Sequence, residues 1–383
     1  MAWKVYRRFS SLLEWLWRKI LFLRPYFAPA LYFAIGYMVK AISWRKGSRG
    51  GQDEGQERPG ERDQEAAAGG GEFDHNDGET EPSEISTYGV CQEEQENSDE
   101  YRVESVDEFY CCYDSTWETD EGTSQTQWLP STSRNYNFKR FENAAKDMQN
   151  YRHDYPRKPH HWRNRSSDEM PNLNFYCGLQ HSEPDGIYIH TFHTEWFGRY
   201  DKLEYVHTYI QWLFPLQEPG MNAQAPPLTK REIKAFLEND TAKKNLLESY
   251  KLMLDFYGIQ LESETTGRVK RAPNWAERFE NLNMNTHNNL RITRILKCLG
   301  KLGYPHYQAP LVRFFLEETL VHHTLPNVKN SALNYFLFAV LDKNQRRELV
   351  KFAYSSYDRR EEFVWCPKKL QTLWSQPSRL KIK

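Results

Sequence analysis

The chain has 383 residues, of which 39% are hydrophobic and 15% aromatic, with a formal net charge of −1. That length allows two or three domains, and the small net charge conceals three blocks of opposite sign, which implies segments with different partners. The six cysteines (Cys91, Cys111, Cys112, Cys177, Cys298 and Cys366) have irregular spacings and form no Cys-x-x-Cys pair, which excludes zinc-ribbon and dithiol redox motifs and leaves free thiols in a reducing compartment as the expectation.

The first fifty residues carry ten Lys and Arg against one Glu. Within them residues 20–39 read ILFLRPYFAPALYFAIGYMV, long and apolar enough to span a bilayer. Trp3, Trp15, Trp17 and Trp44 flank the run as interfacial anchors do. Both flanks are basic, so charge asymmetry does not orient a span, and Pro25 and Pro29 kink any helix here. A span, a shallow hairpin and a helix lying along the interface remain open. The expectation for 1–46 is therefore a membrane-anchoring segment, with an apolar helix docked on the folded domain as the rival. Residues 47–130 read as a disordered acidic linker: 51–121 hold 24 Asp and Glu against three Arg, without apolar periodicity. DSTWETDEG, from Asp114 to Gly122, sets an aromatic among acids, and a loop is expected there. Residues 131–171 read as a polar, extended lead-in.

From 172 to 366 helix-period patterns recur between Gly and Pro, predicting a single multi-helix, all-α domain followed by a basic tail over 367–383. The span 191–209 suits one or two short helices broken near Gly198, and Pro215 and Pro219 stop the next. Thr229 and Glu232 form a capping box. Apolar positions at 246, 250, 253 and 257 predict a helix ended by Gly258. Ile292, Ile295, Leu296 and Leu299 mark another, closed by Gly300 and Gly303. Leu311, Phe314 and Phe315 face inward from a helix with an Arg313–Glu317 pair. Leu333, Phe336, Leu337 and Val340 follow, capped by Ser331, and 345–357 give the last of about seven helices.

Motifs with a mechanism are lacking. No phosphate loop, dinucleotide fingerprint or nucleophile elbow occurs. His190 and His193 share a helix face, but no further metal ligands stand near, so neither a metal nor a cofactor is expected. Glu317 and Glu318 are neighbours that point apart, and Cys298 reads as a buried small hydrophobe. The stripe Arg291, Arg294, Lys297 and Lys301 is either a solvated helix face or a binder of phosphates or acidic peptide, including this chain's own acidic linker. No enzyme and no specific nucleic-acid partner are expected.

Four long motifs carry a resemblance: HTYIQWLFPLQEPGMNAQAPPLTKREI from His207, SYKLMLDFYGIQL from Ser249, THNNLRITRILKCLGKLGYPHYQAPLVRFFLEETLV from Thr286, and SALNYFLFAVL from Ser331. Upstream, CYDSTWET and NYRHDYP complete the pattern. Over about Cys112 to Trp365 the chain resembles the conserved region of the opioid growth factor receptors. The resemblance implies a helical, non-catalytic receptor, unrelated to the seven-helix opioid receptors, that binds a methionine-enkephalin-type opioid peptide and restrains cell proliferation. It also implies association with the nuclear envelope and entry to the nucleus. No ligand-contact residues come with it, and the proline-rich tail of longer members and the hydrophobic start both differ. An opioid peptide presents an ammonium, a phenol and a second ring, so by residue type Glu204, Tyr209, Trp212, Glu317 and Tyr335 are the ligand-binding candidates. The rival reading is a helical protein-interaction scaffold at a membrane or the nuclear envelope. It would engage nuclear import factors through Arg346–Arg347, Arg359–Arg360 and Lys368–Lys369. The expected location is membrane-associated, perinuclear, cytoplasmic and nuclear.

Overall fold

A computed structural model describes residues 114–117, 136–155 and 169–376. The hydrophobic run 20–39 and most of the acidic linker lie outside the described residues, and no described helix is long and apolar enough to cross a membrane.

The described chain is helical, with one small hairpin. Helix α1 (Tyr136–Arg152) comes first. Then come α2 (Pro171–Tyr176), α3 (Ile189–Glu195), α4 (Tyr200–Tyr205) and α5 (Ile210–Leu213), followed by α6 (Lys230–Leu237) and α7 (Asp240–Phe256). Strands β1 (Ile259–Leu261) and β2 (Val269–Arg271) pair antiparallel, Gln260 opposite Lys270. Helices α8 (Trp275–Met284), α9 (Asn288–Lys301) and α10 (Gln308–Leu316) follow, and α10 runs on as a π-turn, Glu317–Val321. Lys329–Ser331, the π-turn Ala332–Phe336 and Leu337–Ala339 form one rod, α11; α12 (Lys343–Ser355) and α13 (Lys368–Ser375) complete the chain.

One contiguous core joins these elements. Helix α9 shows why: Ile292, Ile295, Leu296 and Leu299 fall on one face and all are buried, each contributing roughly 1.5–3 kcal/mol of transfer free energy. The aromatic content goes mostly inward. Phe175, Phe192, Trp196, Tyr209 and Trp212 form a chain of tilted and edge-on ring contacts between the short helices α2 to α5.

Caps follow local chemistry. Thr229 accepts from the Glu232 N–H at 3.0 Å, as the capping box requires. The Glu232 carboxylate, however, accepts from the Asn172 and Leu173 N–H groups at 2.7 and 3.1 Å, so it also caps α2. Gly258 takes φ +75° just past α7, the left-handed position expected of it.

Several expectations change. The lead-in 131–171, read as extended, contains α1, whose Phe138, Phe141, Ala145 and Met148 repeat at helical spacing and are buried. Ser115–Trp117, read as part of the disordered linker, form a 3-10 turn just after Asp114, with Asp114, Thr116 and Trp117 buried. The tail 367–383 begins with α13. Gly300 lies inside α9 and does not end it: a side chain there would strike the Tyr151 and Gln308 side chains. Ser331 lies within the α11 rod and caps nothing, while Asp342 caps α12 by accepting from Gln345 N–H at 2.7 Å. There are more helices than expected because several are a single turn or two, too short to show a period.

Candidate functional site

A groove of about 990 Å³ lies between α10, α12 and α13. Phe352 and Tyr354 from α12 and Trp374 from α13 give it aromatic walls, and Ala309, Pro310, Leu349 and Leu373 add aliphatic surface. Its charged groups are Arg313, Glu348, Lys351 and Arg360. Arg313 stacks over the Phe352 ring at 3.4 Å and pairs with Glu317 at 2.7 Å, so its charge is already engaged. Arg360 lies over Tyr354 at 5.4 Å and donates one hydrogen bond to the Ser355 carbonyl at 2.9 Å.

The far wall rests on the 3-10 turn. Trp117 meets Trp374 with ring centroids 6.1 Å apart, and Trp374 meets Tyr354 at 5.8 Å. The turn itself is clamped. The Asp114 carboxylate accepts from Arg152 Nη2 at 2.8 Å and from the Thr116 hydroxyl at 2.7 Å. Arg346 Nε donates to the Thr116 hydroxyl at 3.0 Å, and Arg347 Nε to the Thr116 carbonyl at 2.8 Å. Burial first, and then the nearby Arg152 charge, bring Arg346 down to about 9. Arg346 and Arg347 are 3% and 5% exposed. Nuclear import factors therefore have no access to that pair, whereas Arg359–Arg360 and Lys368–Lys369 are exposed.

The five candidates chosen by residue type line neither this groove nor any one other cavity among the described residues. Glu204 is buried. Its carboxylate accepts from Asn281 Nδ2 at 2.7 Å and Asn288 Nδ2 at 3.2 Å, and His287 Nε2 lies 2.8 Å away. Burial raises the Glu204 carboxyl, but hydrogen bonds from His287, Asn281 and Asn288 together outweigh it and bring it to about 2. Tyr209 is fully buried and donates to the Leu203 carbonyl at 2.8 Å. Trp212, 1% exposed, donates to the Glu183 carbonyl at 2.9 Å and borders a separate, mainly polar cleft of about 380 Å³. Tyr335 is half-buried against the core. Glu317 adjoins the groove only through Arg313, while its neighbour Glu318 pairs with Arg271 at 2.6 Å.

The basic stripe is neither a solvated face nor a free anion site. Arg291 is 5% exposed and donates to the carbonyls of Leu203 and Val206 at 2.6 and 3.0 Å. Arg294 Nε donates to the Phe214 carbonyl at 2.7 Å. Lys297 pairs with Asp147 and Glu218, and Lys301 with Asp154. Carboxylates of the domain thus already engage Lys297 and Lys301, which the alternative reading offered to the acidic linker. His190 and His193 do not converge either: His190 stacks on Tyr188, and His193 Nε2 lies 2.9 Å from the Ser249 hydroxyl. Cys298 is fully buried, and burial pushes its thiol up. Among the described residues no group of three or more His, Cys, Asp or Glu is placed to hold a metal ion.

The conserved region described as "Opioid growth factor receptor (OGFr) conserved region" matches residues 165–371. The chain belongs to the opioid growth factor receptor family. It is 55% identical to the mouse opioid growth factor receptor over 225 residues, which cover 59% of this chain and 35% of that protein. With the human opioid growth factor receptor it shares 52% over 224 residues, 58% of this chain and 33% of that one. With the rat opioid growth factor receptor-like protein 1 it shares 46% over 264 residues, 69% of this chain and 55% of that one. The aligned chain thus spans about a third of the receptors it matches and about half of the receptor-like protein. No solved structure matches it. These relatives are named as receptors, and the family is not an enzyme family by name.

Within this opioid growth factor receptor fold, most of the groove lies inside the matched region, on α10 and α12. The upstream elements DSTW and NYRHDYP precede the match, yet the structure joins them through the Asp114–Arg152 pair. Sequence reasoning overlooked the groove. Its signal was Phe352 and Tyr354 near Glu348 and Lys351 on one helix, which reads equally well as an ordinary amphipathic face.

Proposed function

We propose that this chain is a non-catalytic peptide receptor of the opioid growth factor type, taking a short opioid peptide such as methionine-enkephalin in the α10–α12–α13 groove and acting on cell proliferation. One observation carries the reading: the groove combines three aromatic side chains with Glu348, Lys351 and Arg360, which form no ion pair among the described residues. Aromatic rings of a peptide pack on Phe352, Tyr354 and Trp374, and a carboxylate at Glu348 suits its ammonium group. The names of the relatives support the ligand class. The cleft beside Trp212 is the weaker place, because its lining is mostly polar and the Trp212 ring is almost wholly covered.

Calorimetry of the full chain with methionine-enkephalin tests this. Saturable binding in the micromolar range is expected, weakened at least tenfold by Trp374→Ala with helicity retained. No saturable heat, or binding indifferent to Trp374 and to Phe352→Ala, refutes the proposal. Attachment through residues 20–39 to a membrane, including the nuclear envelope, belongs to the same proposal and is tested separately below.

A further inference from the structure

We infer that the groove reads both free ends of its peptide, with Glu348 holding the terminal ammonium and Arg360 holding the terminal carboxylate. The inference rests on the peptide-receptor reading above, which sets the ammonium at Glu348, and adds what that reading leaves open: the group that holds the other terminus.

Three observations carry it. First, Glu348, Lys351 and Arg360 all line the groove, are all exposed, and form no ion pair among the described residues. The fourth charged group, Arg313, is spent on Glu317 and the Phe352 ring. Second, the partnerless charges are ordered along the groove. Glu348 stands near the middle of α12, whereas Arg360 is tied to the Ser355 carbonyl at its C-terminal end. Seven residues of helix separate Glu348 from Ser355, about 10 Å at 1.5 Å per residue. Three extended peptide units at about 3.3 Å each cover that rise, so a short peptide of about four residues reaches from one charge-bearing position to the other. Third, the aromatic groups lie between and beside these ends: Phe352 and Tyr354 fall in the interval, and Trp374 faces them from α13.

The electrostatics agree. A guanidinium has five N–H donors, and only one of Arg360's donates to Ser355, so a planar carboxylate can still be met by two. Its position over Tyr354 keeps the fork oriented and lowers the freedom lost on binding. The helix dipole opposes this polarity weakly: the C-terminal end of α12 carries partial negative charge, which the Arg360 cation offsets. A peptide amidated at its C-terminus brings no charge to that end. An N-acetylated one leaves the Glu348 carboxylate without its partner.

The experiment is calorimetric titration of the full chain with three probes: methionine-enkephalin as the free acid, its C-terminal amide, and its N-acetyl form. The wild type, Arg360→Gln and Glu348→Gln are compared. The expected result is a loss of about tenfold or more on amidation and on acetylation, the size of a charge-assisted hydrogen bond. In Arg360→Gln the acid and amide should bind alike while the acetyl penalty persists; in Glu348→Gln the pattern should reverse. Equal binding of acid and amide to the wild type overturns the inference and leaves the receptor reading standing. An amide penalty that survives Arg360→Gln does the same, since another group would then hold the carboxylate. Absence of saturable binding by all three probes overturns both. Both substituted side chains are exposed, so loss of fold does not intervene, and circular dichroism confirms it.

Discussion

Asp114→Asn removes one negative charge from a buried cluster that otherwise holds cations. In the wild type Asp114 is 2% exposed and meets Arg152 at 2.8 Å, with Arg346 reaching the same turn through Thr116. One carboxylate oxygen, Oδ2, is buried without a partner among the described residues. An Asn amide turned toward it places an unmet donor beside guanidinium groups. Breaking a buried pair by removing one partner costs about 3–5 kcal/mol. Arg152 retains its bonds to the Phe338 carbonyl and the Gln149 side chain at 2.6 Å each, so the lower end, about 3 kcal/mol, is expected. For a domain of this size that lowers the melting temperature by roughly 6–12 °C. Urea denaturation followed by circular dichroism measures it. A double-mutant cycle with Arg152→Gln isolates the pair, with a coupling of about 1–3 kcal/mol expected. A destabilisation under about 1 kcal/mol, or additive effects, would refute the idea that Asp114 compensates these arginines.

His193 is held neutral: burial, the largest cause, lowers it to about 4, opposed by Glu248 and aided by His190. The unfolded chain therefore takes up this proton first as pH falls. The stability is present above about 6.5 and is lost as pH falls through about 4, by up to about 3 kcal/mol; His193→Gln should flatten the urea midpoint over that window, and an unchanged slope would contradict it. Gly258→Ala should cost more than about 1 kcal/mol, since a Cβ at φ +75° would come 2.8 Å from the Trp275 Cα; an unaffected melting temperature would show that the turn relaxes freely. A reporter fused to residues 1–50 should pellet with membranes and need detergent for release; a freely soluble fusion removes the anchoring proposal.

Helix α9 was legible because its aliphatic residues repeat every three or four positions, and the Thr229 cap was legible because its chemistry is local. Helix α1 had the same signal in Phe138, Phe141, Ala145 and Met148, but the polar residues between them masked it. The DSTW turn had no period to read. Its order comes from Arg152, Arg346 and Arg347, which are distant in sequence, and no local rule assembles them.

The sequence by itself determined the helical class, the Thr229 cap, the helix end at Gly258, the inward aromatic content and the family, because hydrophobic period, turn chemistry and long motifs are properties of neighbours along a chain. Only the tertiary structure decided which charges are free. Arg291, Lys297 and Arg346 look in sequence like Lys351 and Arg360, yet the first three are covered and satisfied by carbonyls and carboxylates brought from elsewhere. Whether a cation meets solvent, a ligand or a buried acid depends on what packs over it, and that is set by contacts between segments far apart in the chain.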